Sequence, residues 1–172
     1  MSNTGTTRDY RSRHGDNELK FFNVTCEHTD LSIGCEVNQY EEAMGAVVYI
    51  RDKIKLEIAN DPKFLVSMTP LKTPMICDDN IRLMYLASQL AGVGPMAAVA
   101  GCVSNYVGEY LNRFSENVIV ENGGDDYIIT TKKRTIAIVA GDSPLSGRVG
   151  VELLPGKWGV CTSAGKVGPS MS

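Results

Sequence analysis

The sequence predicts an α+β fold built on a largely antiparallel sheet. Three observations carry that prediction. Two strand-like stretches come first, at Leu19–Cys26 and Thr29–Cys35. A block of helical periodicity follows, from Asn38 to about Gly108. After it, short apolar runs alternate with turn residues. Strands, then helices, then a meander of strands is the α+β order, not βαβ alternation.

Residues 1–7 are expected to be disordered, and Arg8, Arg11, Arg13 and His14 to form a solvated basic arm. The first two strands join through Glu27 and His28. If the chain stays extended there, Cys26, His28 and Asp30 point to one face, because side chains alternate. Asn38–Asn60 is the clearest helix, with Tyr40, Ala43, Met44, Val47, Val48, Ile54 and Ile58 as its apolar stripe. Asn60-Asp61-Pro62 ends it, since the residue before a proline avoids helical geometry. Phe64–Thr73 is expected as an irregular link. Asp78 or Asp79 caps a second helix that runs to about Leu90. A third begins at Pro95, a residue that helices accept in the first turn. On it, Ala97, Ala98, Gly101, Asn105 and Gly108 leave one face nearly bare, open to another backbone.

Val118-Ile119-Val120 lacks polar alternation and reads as a strand covered on both faces. Glu121–Asp126 is a glycine-bearing turn at its end, a common place for a ligand. Tyr127–Thr131 and Arg134–Ala140 are expected to pair through Lys132-Lys133. Arg148–Leu153 and a short Gly159–Thr162 strand follow.

The 172 residues suit one domain with a real core. Apolar residues make up 43% and charged ones 22%, an ordinary globular composition. A net charge of −3 argues against nucleic acid as the main partner. The uncharged run Leu83–Gly108 is long enough to span a membrane, but Gly92, Gly94 and Pro95 break it into two buried helices. The N-terminal stretch has no apolar signal core, so a cytoplasmic protein is expected. The five scattered cysteines then read as free thiols, not as a disulfide framework.

Each candidate site has an ordinary structural reading beside the functional one. The Glu121–Asp126 turn could offer backbone N–H groups to a phosphate, or carboxylates to Mg²⁺ or a ribose. A hairpin turn would use the same residues. Gly92 and Gly94 could cradle an anion at a helix start, and helix packing would explain them equally well. Cys161-Thr162-Ser163-Ala164-Gly165 joins a thiol and two hydroxyls at a strand end. A nucleophile there would need a base, and the chain has two histidines, His14 and His28. Cys26, Cys35, Cys77, Cys102 and Cys161 show no C-x-x-C spacing, which argues against a zinc ribbon. An iron–sulfur cluster would need thiolates converging from distant segments. Cys102, on the bare helix face, reads as plain packing.

Several phrases together resemble one family. They are Arg8, Tyr10 and Arg11; His28-Thr29-Asp30-Leu31; Ala91–Gly101 (AGVGPMAAVAG); Val118–Asp125 (VIVENGGD); Ala140–Ser146; and Gly159–Gly168 (GVCTSAGKVG). In this order they resemble the ApbE-like group known as uncharacterised protein family 0280, over nearly the whole chain. Similarity to ApbE itself, a flavin transferase, is more distant and lies in Gly123-Gly124-Asp125 and Thr162-Ser163.

The resemblance implies a two-layer ApbE-like (T-fold-like) α+β domain over residues 8–172, with three helices packed on the sheet. It implies a flavin or nucleotide between Gly123, Gly124 and Asp125 on one side and Thr162, Ser163 and Gly165 on the other, with or without Mg²⁺. Some family members are associated with sulfide assimilation and homocysteine formation. With the cysteine content, that association makes sulfur handling the first expectation, with Cys26, Cys35, Cys77 and Cys161 as its thiols. A flavin- or nucleotide-binding module is the second expectation, and an inactive structural subunit the third. Three departures bear on the choice. Pro169 stands where the family has a histidine, the family's aspartate- and alanine-rich C-terminal segment has no counterpart up to Ser172, and no lysine lies between Gly94 and Gly108. Complete flavin transfer is therefore not expected. An open sheet edge would favour a homo-oligomer.

Overall fold

The computed structural model describes residues 18–138, 143–144 and 146–161. The expected disorder of residues 1–7, the basic arm and the segment Thr162–Gly165 fall outside them. Lys20–Cys26 (β1) and Thr29–Cys35 (β2) form a hairpin, followed by helices Tyr40–Asn60 (α1), Lys63–Val66 (α2) and Asp79–Ala91 (α3). A 3₁₀ turn at Pro95–Ala98 leads into Val99–Leu111 (α4). Strands Val118–Asn122 (β3), Asp125–Thr130 (β4), Arg134–Ala137 (β5), Gly150–Leu153 (β6) and Gly156–Cys161 (β7) complete the order.

The main sheet runs β1-β2-β3-β4-β7, antiparallel throughout. α1 packs on β1, α4 packs on β3 and β4, and α3 lies against both helices. This is the expected α+β arrangement, one helix layer on a mostly antiparallel sheet. The core sits between the layers. Val24, Leu31, Ile33, Cys35, Val118 and Val120 come from the sheet, and Ala43, Val47, Ile50, Val103, Val107 and Leu111 from the helices. Phe64 and Tyr85 close one side of it, both fully buried, with ring centroids 5.1 Å apart. Burying each such side chain contributes roughly 1.5–3 kcal/mol.

Local chemistry explains most element ends. Asp78 caps α3 by accepting from the Asn80 N–H at 2.9 Å. Gly92 ends that helix at φ 73°, a left-handed position that glycine takes without cost. α3 and the helical stretch from Pro95 to Leu111 meet at 112°, so the uncharged run divides into two helices, and both contribute side chains to the core. Among the described residues, no single helix is long and apolar enough to cross a membrane.

Four expectations are corrected. The chain does not stay extended at Glu27 and His28. Glu27 takes φ 52°, Cys26 pairs with Thr29 and Thr25 with Asp30, so Asp30 faces away from Cys26. The Glu27 carboxylate holds the turn to α1 through Arg51 and Lys55, both at 2.6 Å. Residues 63–66 form a helical turn within the expected irregular link. The buried stripe of α1 centres on Ala43, Val47, Ile50, Ile54 and Glu57, while Tyr40 and Val48 are exposed. Finally, β5 does not pair with β4. β7 takes that place, with Trp158 opposite Ile128, and β5 pairs with β6 in a separate two-stranded sheet. Gly156, at φ 148°, makes the tight return from β6 to β7.

Candidate site at the glycine hairpin

Asn122 pairs with Asp125, so Gly123 and Gly124 are the two loop residues of the β3–β4 hairpin. Both have positive φ, 66° and 102°, which the mirror-image hairpin turns require. The Gly124 N–H donates to the Glu121 carboxylate at 3.1 Å. The ordinary hairpin reading of the two glycines therefore holds, and any ligand role would lie with their neighbours.

Opposed residues of an antiparallel pair share a face. Asn122, Asp125 and Cys161 consequently line up on the helix-facing side of the sheet end. The Asn122 side-chain amide donates to the Ala100 carbonyl at 3.0 Å, which fixes the first turn of α4 over this end. One residue further, no described residue outside the local helix backbone has an atom within 4 Å of where a Cβ on Gly101 would stand. α4 starts without a side-chain cap. Burial pushes the Asp125 carboxyl above the ordinary aspartate range, while Cys161 is exposed. The corner thus combines a half-buried carboxyl, an exposed thiol and a bare turn of α4 that the other described residues leave open. Thr162, Ser163 and Gly165 continue the chain from Cys161 but lie outside the described residues.

The other glycines of this region serve packing. A Cβ on Gly94 would stand 1.7 Å from the Ser67 carbonyl oxygen, so Gly94 lets two backbones touch. A Cβ on Gly108 would stand 2.6 Å from the Tyr127 ring. That ring is held by its hydroxyl, which donates to Glu109 at 2.5 Å; Lys157 of β7 reaches the same carboxylate at 2.6 Å. Glu109 therefore ties α4 to β4 and β7. Its role, like that of Asn122, has no sequence signal, because the partners lie on strands whose pairing is not written locally.

The cysteines do not gather. Cys26 and Cys161 end the two edge strands at one end of the sheet, four strand spacings or roughly 19 Å apart. Cys35 lies at the opposite end, fully buried. Burial, reinforced by the Glu36 charge, pushes its thiol up to about 12. Cys77 precedes α3, and burial raises its thiol too. Cys102 packs beside Asn80, its thiol pushed up to about 12, chiefly by burial. Among the described residues, no three His, Cys, Asp or Glu side chains converge as a metal site. An Mg²⁺ at the corner would find Asp125 there and would need a ligand's phosphates to complete its shell.

An antiparallel sheet carrying one helix layer, with a glycine hairpin and a helix start meeting at one corner, defines the class. The chain belongs to the family described as AbpE bacteria, whose sequence profile matches residues 11–172. It is 39% identical over 152 residues to a UPF0280 protein of Methanopyrus kandleri, covering 87% of this chain and 61% of the relative. It is 34% identical to a UPF0280 protein of Methanococcus aeolicus, covering 87% and 62%. A UPF0280 protein of Methanothermobacter thermautotrophicus is 41% identical over 133 residues, covering 74% and 50%. The chain thus spans between half and two thirds of the length of these curated relatives.

Proposed function

We propose that this protein is a binding module for a flavin or another nucleotide, seated at the corner of Gly123, Gly124, Asp125 and Cys161 under the start of α4. The observation that carries this reading is the half-buried Asp125 carboxyl at the sheet end to which Asn122 fixes the first turn of α4. Mg²⁺ bridging the ligand's phosphates to Asp125 would offset their charge. Distant similarity to a flavin transferase points the same way. Thr162, Ser163 and Gly165 would complete the ligand's contacts. Isothermal titration with FMN, FAD and ATP, each with and without Mg²⁺, tests it. Uptake of one ligand that weakens in Asp125→Asn supports the reading, and no uptake of any rules it out. Flavin carried through purification would absorb near ~375 and ~450 nm, since the cofactor sets that signature.

A second reading, sulfur handling, is favoured by one observation, the exposed Cys161 thiol. It would act alone or with chains outside this one, because Cys26, Cys35 and Cys77 stand apart from it. Loss of persulfide loading in Cys161→Ser would support it, and unchanged loading would end it. Pairing of two copies through β7, which ends the sheet, is the corresponding proposal for assembly. A monomer in light scattering would refute it.

A further inference from the structure

Away from the hairpin corner, a cleft of about 260 Å³ opens between the second half of α1 and the segment leading into α3. Lys53, Leu56, Glu57, Asn60, Ile76, Cys77, Asp78 and Ile81 line it, and Glu57 and Asp78 decide its chemistry. Glu57 is 6% exposed, far more buried than an unpaired carboxylate ordinarily is. Its Oε1 accepts from the Tyr85 hydroxyl at 2.6 Å, and no donor among the described residues reaches its other oxygen. Asp78 adds a second negative charge, with its oxygens committed to the α3 cap and to the Tyr49 hydroxyl. Lys53, the one cation of the lining, holds its Nζ over the Tyr49 ring, 4.9 Å from the centroid. The mouth is apolar: Ile76 is 91% exposed and Leu56 56%.

We infer that this cleft binds a primary ammonium carried on a short apolar chain, with the ammonium on Glu57 and the chain against Leu56, Ile76 and Ile81. An anion would meet two carboxylates. A metal ion would lack ligands, because no three donors converge among the described residues. A neutral apolar guest would displace water from that carboxylate oxygen and offer no donor in return, which is costly. An ammonium supplies the donor and the opposite charge together. The same chemistry fits a free alkylamine or the lysine side chain of a peptide.

The test uses n-butylammonium, 1-butanol and Nα-acetyl-lysinamide on the native protein at fixed ionic strength, read by calorimetry. The ammonium compounds are expected to bind about tenfold or more tightly than the alcohol, the ordinary worth of a charge-assisted hydrogen bond. Tighter binding of butylammonium than of the lysine amide assigns the cleft to free amines, and the reverse order assigns it to peptide lysines. Glu57→Gln, which keeps an acceptor for Tyr85, is expected to lose the same factor. Location is read without a variant: bound butylammonium slows iodoacetamide labelling of Cys77 and leaves Cys161 unaffected. Equal binding of alcohol and ammonium, or labelling of Cys77 unchanged at saturation, overturns the inference.

Discussion

Two glycines of α4 respond in opposite directions to the same substitution. At Gly101 a Cβ meets no other described residue within 4 Å, so Gly101→Ala is expected to gain helix propensity without a packing cost. The expected stabilisation is about 0.5–1 kcal/mol, or roughly 1–4 °C in Tm for a chain of this size. At Gly108 the new methyl would stand 2.6 Å from Cδ1 and 3.3 Å from Cε1 of Tyr127. The ring cannot swing away without breaking its hydrogen bond to Glu109. Overpacking of this kind costs roughly 1–3 kcal/mol, against the same propensity gain of about 0.5–1 kcal/mol, so Gly108→Ala loses up to about 2.5 kcal/mol net. Urea unfolding followed by far-UV circular dichroism at pH 7 reads both values. Shifts of the same sign would refute the account of the helix face. Ligand affinity is the functional readout. If the open turn at Gly101 belongs to the nucleotide, Gly101→Ala is more stable yet binds at least about tenfold more weakly. Undiminished binding would detach the ligand from this corner.

Further outcomes follow from the buried polar groups. Burial alone would raise the Glu36 carboxyl, but hydrogen bonds from Ser115 and Asn117 outweigh it and hold it below the ordinary glutamate range. Its contribution is therefore complete above the unfolded value near 4.5 and is lost as pH falls through the lower folded value. Glu36→Gln is expected to flatten the acid limb of a urea-midpoint-against-pH curve; an unchanged limb would contradict this. Asp125 has the opposite sign, since burial raises its folded value. Its ionisation withdraws stability as pH rises through that value, so Asp125→Asn is expected to be more stable than the native protein at pH 7, and equal or lower stability would count against it. Tyr85→Phe strips Glu57 of its one hydrogen bond and is expected to cost about 1–3 kcal/mol in the same melts. In a thiol titration, Cys161 is expected to react first and Cys35 only on unfolding, because Cys35 is wholly buried with its thiol pushed up to about 12.

The elements that the sequence makes legible are those whose cause is local. Asp78 caps α3 and Gly92 ends it because capping and left-handed glycine chemistry act within a few residues. The hairpin at Gly123-Gly124 and the buried strand before it are written in the same short range. Strand partnership is not local. Period-two alternation marks β5 as a strand but cannot say that β7 will take its place beside β4. The turn at Glu27 is hidden for a related reason: its left-handed backbone is borne by a residue that disfavours it, and Arg51 and Lys55 hold it from a helix many residues away. At the candidate corner, Asp125 and Cys161 were marked by their position at strand ends. Asn122 and Gly101 matter through contact or open space that only the packed chain defines. The scatter of the cysteines has the same origin, since sequence shows how many thiols there are and the sheet order shows how far apart they lie.

The exchange of β5 for β7 has a consequence for how this scaffold can vary. Thr130 and Gly156 are cross-strand neighbours, so the chain leaves the main sheet after Thr130 and rejoins it beside the same point at Gly156. Such an excursion can lengthen or shorten with little effect on the frame, because doubling a closed loop costs only about 0.6 kcal/mol. The β4–β7 junction is thus a natural insertion point. New surface can be added there while the hairpin corner, on the opposite end of the same two strands, keeps its geometry.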